Sequence, residues 1–182
     1  IPVMQTHTSL SGPKTHLSIS QSMPHVRFPV GSDSNTATIM TMVDTCAGLS
    51  LGRLSYHLSI FKTSPQLVHS FFYLKDIDYL DEFDIGGVDQ HGNPTRVTAV
   101  ITYKTPFKIS GQEVLLSYGL SESASTNSIL GLPFLRATHS AMLMTGSDDE
   151  TLICQRLGAT FRIEYQVPLR ADQAPITPRN TH

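Results

Sequence analysis

Cysteine is scarce. The 182 residues include two, Cys46 and Cys154, too few for a disulfide scaffold, and neither belongs to a CxxC pair. A reducing, intracellular and cytoplasmic setting is the expectation that follows. Charge is low as well: charged residues make up 15% of the chain, and Lys+Arg 13 against Asp+Glu 15 leaves a net charge of -2. With no basic run there is no electrostatic footprint for nucleic acid, and no nucleic-acid partner is expected. No apolar stretch approaches the ~20 residues that a spanning helix needs, so no membrane association is expected. The start, Ile1-Pro2-Val3-Met4, lacks the basic-then-apolar plan of a signal peptide and an initiator Met, as expected of a segment cut from a longer protein. The eight histidines form no HxH, HExxH or Cys/His cluster, so neither a metal nor another cofactor is expected. There is no internal repeat.

What is present suits one core. Hydrophobic residues make up 40% of the chain, enough for a single domain with flexible ends. Residues 1–23, rich in Ser, Thr and His, read as a flexible leader, and the proline-containing residues 168–182 as a flexible tail. The folded domain is placed at 24–167. Strand signals dominate it. Residues 36–43 alternate small polar and apolar side chains; 67–74 (LVHSFFYL), 96–103 (RVTAVITY) and 161–167 (FRIEYQV) are rich in β-branched and aromatic residues. Ser110-Gly111-Gln112 and Gly146-Ser147-Asp148-Asp149 each read as the turn of a hairpin. One short helix is expected after Gly131, with Pro133 in its first turn, and a turn or two after Leu51. Short strands joined by turns indicate an all-β barrel or sandwich.

One segment points to chemistry. Met42-Val43-Asp44-Thr45-Cys46-Ala47 delivers an aspartate from an apolar strand into a turn of small residues. On its own it reads as a strand end closed by local side-chain bonds. A second segment, Ser128-Ile129-Leu130-Gly131-Leu132-Pro133-Phe134-Leu135, follows after several strands and a glycine-rich loop. The pair, in this order and at this spacing, resembles the retropepsin-like aspartic proteases encoded in retroelement polyproteins. In that family the first motif is apolar-apolar-Asp-Thr-Gly-Ala and the later one is Ile-Leu-Gly followed by a helix. The resemblance spans residues 36–135.

The resemblance implies a closed, mostly antiparallel retropepsin-like β barrel that hydrolyses peptide bonds. Asp44 would be the catalytic aspartate. One such motif per chain implies a homodimer, with Asp44 of each subunit meeting at the two-fold axis. Two carboxylates that close share a proton, so one acts as base on water and the other as acid to the scissile carbonyl. Thr45, Cys46 and Ala47 would support the catalytic loop. Ile129, Leu130 and Gly131 would pack beside it and line the substrate pocket, with Val88, Val97 and Leu116 as further pocket or core walls. Ile85, Gly86, Gly87 and Val88 would form a flap that closes over a peptide. The implied role is processing of a retroelement polyprotein. The acidic stretch of Asp76, Asp78, Asp81, Glu82 and Asp84 reads as a solvated face.

One position departs from the family, which has glycine where this chain has Cys46. A Cβ there stands to crowd the carboxylates, so a catalytically decayed binding or dimerisation module is the alternative. Two further readings come from other residues. Gly48-Leu49-Ser50-Leu51-Gly52 matches the G-x-S-x-G nucleophile elbow, with Ser50 as nucleophile and His139 as base, but the strand–helix alternation of that fold is missing. Cys46 with His57 or His69 is a thiol-enzyme reading that no spacing supports.

Overall fold

The computed structural model describes residues 13, 22–75, 84–88, 92 and 94–167. The expected leader and tail lie outside the described residues, except that residues 13, 22 and 23 are described and the first strand starts at Met23. The protein is mostly β. Its main sheet has eight strands, in the order β13-β1-β2-β9-β3-β8-β7-β4. These are β1 (Met23–Ser32), β2 (Asn35–Val43), β3 (Leu51–Arg53), β4 (Val68–Tyr73), β7 (Ala99–Ile109), β8 (Gln112–Ser121), β9 (Ser128–Leu130) and β13 (Glu164–Gln166). A three-stranded sheet holds β10 (Ser140–Leu143), β11 (Thr151–Cys154) and β12 (Ala159–Arg162), and β5 (Asp84–Val88) pairs with β6 (Pro94–Arg96).

The long strands form because their side chains alternate. Val26, Phe28 and Val30 of β1, Ala37, Ile39, Thr41 and Val43 of β2, Ala99, Ile101, Tyr103 and Thr105 of β7, and Leu116, Tyr118 and Leu120 of β8 are all buried. Period-two burial of this kind fixes register, because a slip of one residue would turn each set toward solvent. The main sheet folds over so that β1 and β7 face each other, with the Phe28 and Phe107 rings 5.8 Å apart. Phe28 also meets Phe134 at 5.4 Å and Phe161 at 5.2 Å, which pins α2 (Leu132–Ala137) and the small sheet to the same core.

Two expectations are corrected. The sheet is not a closed barrel. Closure needs the outer strands to bond to each other, but the ladder of β4 goes to β7 and the three residues of β13 go to Met23–His25 of β1. Helix is also underestimated: where a turn or two was expected, α1 (Leu54–Thr63) runs for 10 residues. Its Ser, His and β-branched content is a poor helix signal. Burial of Leu54, His57 and Ile60, three residues apart on one face, supplies what propensity does not.

Candidate active site

β2 and β3 follow one another in sequence, yet β9 lies between them in the sheet, parallel to β2 and antiparallel to β3. The connection from β2 to β3, residues 44–50, must therefore cross the end of β9. This crossing brings the two motifs together. The Asp44 N–H donates to the Leu130 carbonyl at 3.0 Å, and the Leu132 N–H donates to the Ala47 carbonyl at 2.8 Å. The Gly131 N–H donates to the Ser50 hydroxyl at 2.9 Å. Gly131 has to be glycine here: a Cβ would stand 2.4 Å from the Leu49 carbonyl oxygen and 2.5 Å from its carbon.

Within the loop, the Cys46 N–H donates to Asp44 Oδ1 at 2.9 Å. Asp44 is half-buried, while Thr45 and Cys46 are exposed and Ala47 is half-buried. The residue at 46 keeps a negative φ, since the only non-glycine residues described with positive φ are Ser110 and His139. Glycine is thus not required at 46 either for backbone conformation or for the amide to reach the carboxylate. Beside the loop an open concavity of about 540 Å³ is lined by Gly48, Leu132, Pro133, Arg136 and Ala137.

The other expected site residues divide. Leu130 is fully buried and Ile129 half-buried, both on β9. Val97 and Leu116, offered as pocket or core, are core, at 0% and 1% exposure. Ile85, Gly86, Gly87 and Val88 lie on β5, in a two-stranded hairpin with β6. The turn of that hairpin, at 89–91 and 93, and the acidic stretch before Asp84 lie outside the described residues. Among the described residues no helix is long and apolar enough to cross a membrane.

The elbow reading of Gly48–Gly52 does not hold. Ser50 is buried, and its hydroxyl is spent on Gly131 instead of facing solvent. Gly52 is there for packing, since a Cβ on it would stand 2.3 Å from His57 Nε2. The thiol reading finds no partner for Cys46: His57 is buried with both ring nitrogens engaged, and His69 lies exposed on edge strand β4.

A buried polar cluster under α1 was not anticipated. His57 Nδ1 lies 2.7 Å from the Tyr103 hydroxyl, and Nε2 lies 3.0 Å from the Asn127 carbonyl and 2.9 Å from the Ser128 hydroxyl. Desolvation holds the His57 imidazole down at about 3 and pushes the Tyr103 and Tyr118 phenols up. Arg53, also buried, donates to the carbonyls of Ala124 at 3.2 Å and Ser125 at 2.8 Å, and to Asn127 Oδ1 at 2.5 Å. These bonds hold the turn that leads into β9. His57, five residues past Gly52, carries no local sequence signal of this kind, because its partners lie 46, 70 and 71 residues away in the chain.

Comparison with protein-family models finds no family that matches this chain. Comparison with curated proteins finds no matching relative.

Proposed function

We propose that this chain is an aspartic endopeptidase of the retropepsin type, in which Asp44 from each subunit of a homodimer forms the catalytic pair. The observation that carries the reading is the crossing of the 44–50 loop over β9. It ties an aspartate at a strand end to the Ile129-Leu130-Gly131 segment by hydrogen bonds from Asp44, Gly131 and Leu132. The half-buried aspartate follows directly on β2, and its Oδ1 is oriented by the Cys46 amide.

In such a pair one proton is shared between two carboxylates. The ionised one takes a proton from a bound water as the water attacks the scissile carbonyl, and the protonated one donates to the carbonyl oxygen. Activity is expected at mildly acidic pH, where the pair holds one proton. The proposed substrate is a peptide segment of a retroelement polyprotein. The concavity at Gly48, Leu132 and Arg136 lies beside the loop where a peptide side chain or the second subunit would meet it.

Cys46 favours a second reading, a decayed module that dimerises without cleaving. Its thiol is exposed next to Asp44 and would face its copy across the axis. Cleavage of a mixed peptide library at a series of protein concentrations separates the two. A specific rate that rises with concentration supports a shared site. Silence in the wild type with cleavage by Cys46→Gly supports the decayed module. Undiminished specific activity in a strictly monomeric sample contradicts the shared-site proposal.

A further inference from the structure

The cluster under α1 plays no part in the proposed chemistry, yet it reaches the loop that holds Asp44. The Asn127 carbonyl can only accept, so His57 Nε2 carries the ring hydrogen. Nδ1 is then an acceptor and takes the hydroxyl hydrogen of Tyr103. The partners therefore select one neutral tautomer. Adding a proton at Nδ1 would turn the Tyr103 hydroxyl from donor to acceptor and place a charge in a site with no exposure to water.

Only the Asn127 carbonyl favours that charge, and desolvation outweighs it. Among the described residues, the titratable and charged groups around the ring are Tyr56 on α1, Tyr103 on β7, Tyr118 on β8 and, through the shared Asn127, the guanidinium of Arg53 at the end of β3. None of these is a carboxylate, and one is a cation. The ring also touches the strand that the loop leads into and the strand that it crosses. It lies against Gly52 of β3, and it bonds Asn127 and Ser128 at the start of β9. Ser50 immediately precedes β3 and Gly131 immediately follows β9, and these are joined by the Gly131 N–H to Ser50 hydroxyl bond.

We propose that His57 is a positioning residue for the Asp44 loop, and that protonation of its imidazole releases β9 and with it the loop, giving the site an acid limit set by this histidine. Its consequence for catalysis rests on Asp44 being the catalytic carboxylate; the structural switch does not.

Desolvation pushes the folded ring down to about 3, from the 6.5 of an unfolded histidine. The contribution is therefore whole above 6.5 and is lost as pH falls through the window from 6.5 toward 3. Within that window the unfolding constant rises toward tenfold per pH unit for one such group; the unfolded ring is half protonated at 6.5, so the rise from pH 6.5 to 4.5 is about 50-fold. His25 is also buried and lowered by desolvation, and adds its own share. His57→Gln keeps a donor and an acceptor but does not titrate, and so removes the share of His57 alone.

The test uses the full chain. Urea unfolding at pH 6.5 and 4.5 is compared for wild type and His57→Gln, with hydrogen exchange of the Asp44, Gly131 and Leu132 amides followed under native conditions at both pH values. The wild-type unfolding constant should rise about 50-fold more than that of the variant. Protection of the three loop amides should fall on acidification more than that of the β1–β2 hairpin, and only in the wild type. An equal acid dependence in both proteins overturns the proposal. A direct titration of the His57 ring by NMR in the wild type decides the matter even if the variant does not fold: a ring that stays neutral well below 6.5 supports it, and one that titrates near 6.5 overturns it. None of these readouts depends on cleavage, so loss of the protease reading and loss of the switch are told apart.

Discussion

Gly131→Ala is the sharpest single change this structure offers. A methyl group there would lie 2.4 Å from the Leu49 carbonyl oxygen, 2.5 Å from its carbon and 2.9 Å from the Ser50 nitrogen. Ordinary contact begins near 3.4 Å, so the backbone of the crossing loop must retreat by about an ångström. All three obstructing atoms are backbone, which cannot swing aside as a side chain can. Overpacking of this kind costs about 1–3 kcal/mol. The retreat also strains the Gly131 to Ser50 and Leu132 to Ala47 hydrogen bonds, each worth about 1 kcal/mol net. A loss of roughly 2–4 kcal/mol is expected from these two sources. If the loop carries the catalytic carboxylate, misplacing it by an ångström costs roughly 100-fold in rate as well. The control is Gly48→Ala in the same loop, where nothing lies within 4 Å of the added carbon and φ is not in the left-handed region. It should stay within about 0.5 kcal/mol of wild type. Urea denaturation of the three proteins gives the comparison. A Gly131→Ala protein as stable as Gly48→Ala would refute the account of how the loop is held.

Gly52→Ala should destabilise through a different neighbour, because its methyl would collide with the His57 ring at 2.3 Å; thermal melting should show a clear drop, and His57→Ala in the same chain should restore part of it. Phe28→Ala should cost about 3–5 kcal/mol in urea unfolding, since a fully buried ring that meets Phe107, Phe134 and Phe161 leaves a cavity shared by three elements. Breaking the Arg27–Glu164 pair, whose side chains are 51% and 33% exposed, should change stability by less than about 1 kcal/mol, and less still in high salt. A larger effect would mean that β13 is held to β1 chiefly by this pair.

The parts of the fold legible in the sequence are those with local causes. Residues 36–43 announce a strand by alternation, 96–103 by β-branched and aromatic content, and Ser110-Gly111-Gln112 announces a hairpin; β2, the first half of β7 and the β7–β8 hairpin lie there. β1 was overlooked because Pro24, Pro29 and Gly31 interrupt its pattern, although Val26, Phe28 and Val30 alternate inward beneath them. α1 runs longer than the turn or two expected after Leu51 because its stability comes from what it covers. In the candidate site, the two motif segments were visible as strings, but the crossing that joins them depends on β9, a strand of three residues. The His57 cluster was out of reach for a related reason: its hydrogen bonds span 46, 70 and 71 residues of chain. Ser50 and Gly52, read as parts of an elbow, turn out to owe their identities to Gly131 and His57.

The central claim concerns Asp44, and cleavage of a mixed peptide library by wild type and Asp44→Asn, each with and without a pepstatin-type inhibitor, tests it most directly. The substitution is nearly isosteric and can keep the acceptor for the Cys46 amide, so the fold should survive. The account expects cleavage by the wild type, its block by the inhibitor, and its loss in Asp44→Asn. Cleavage that persists without the Asp44 carboxylate would contradict it.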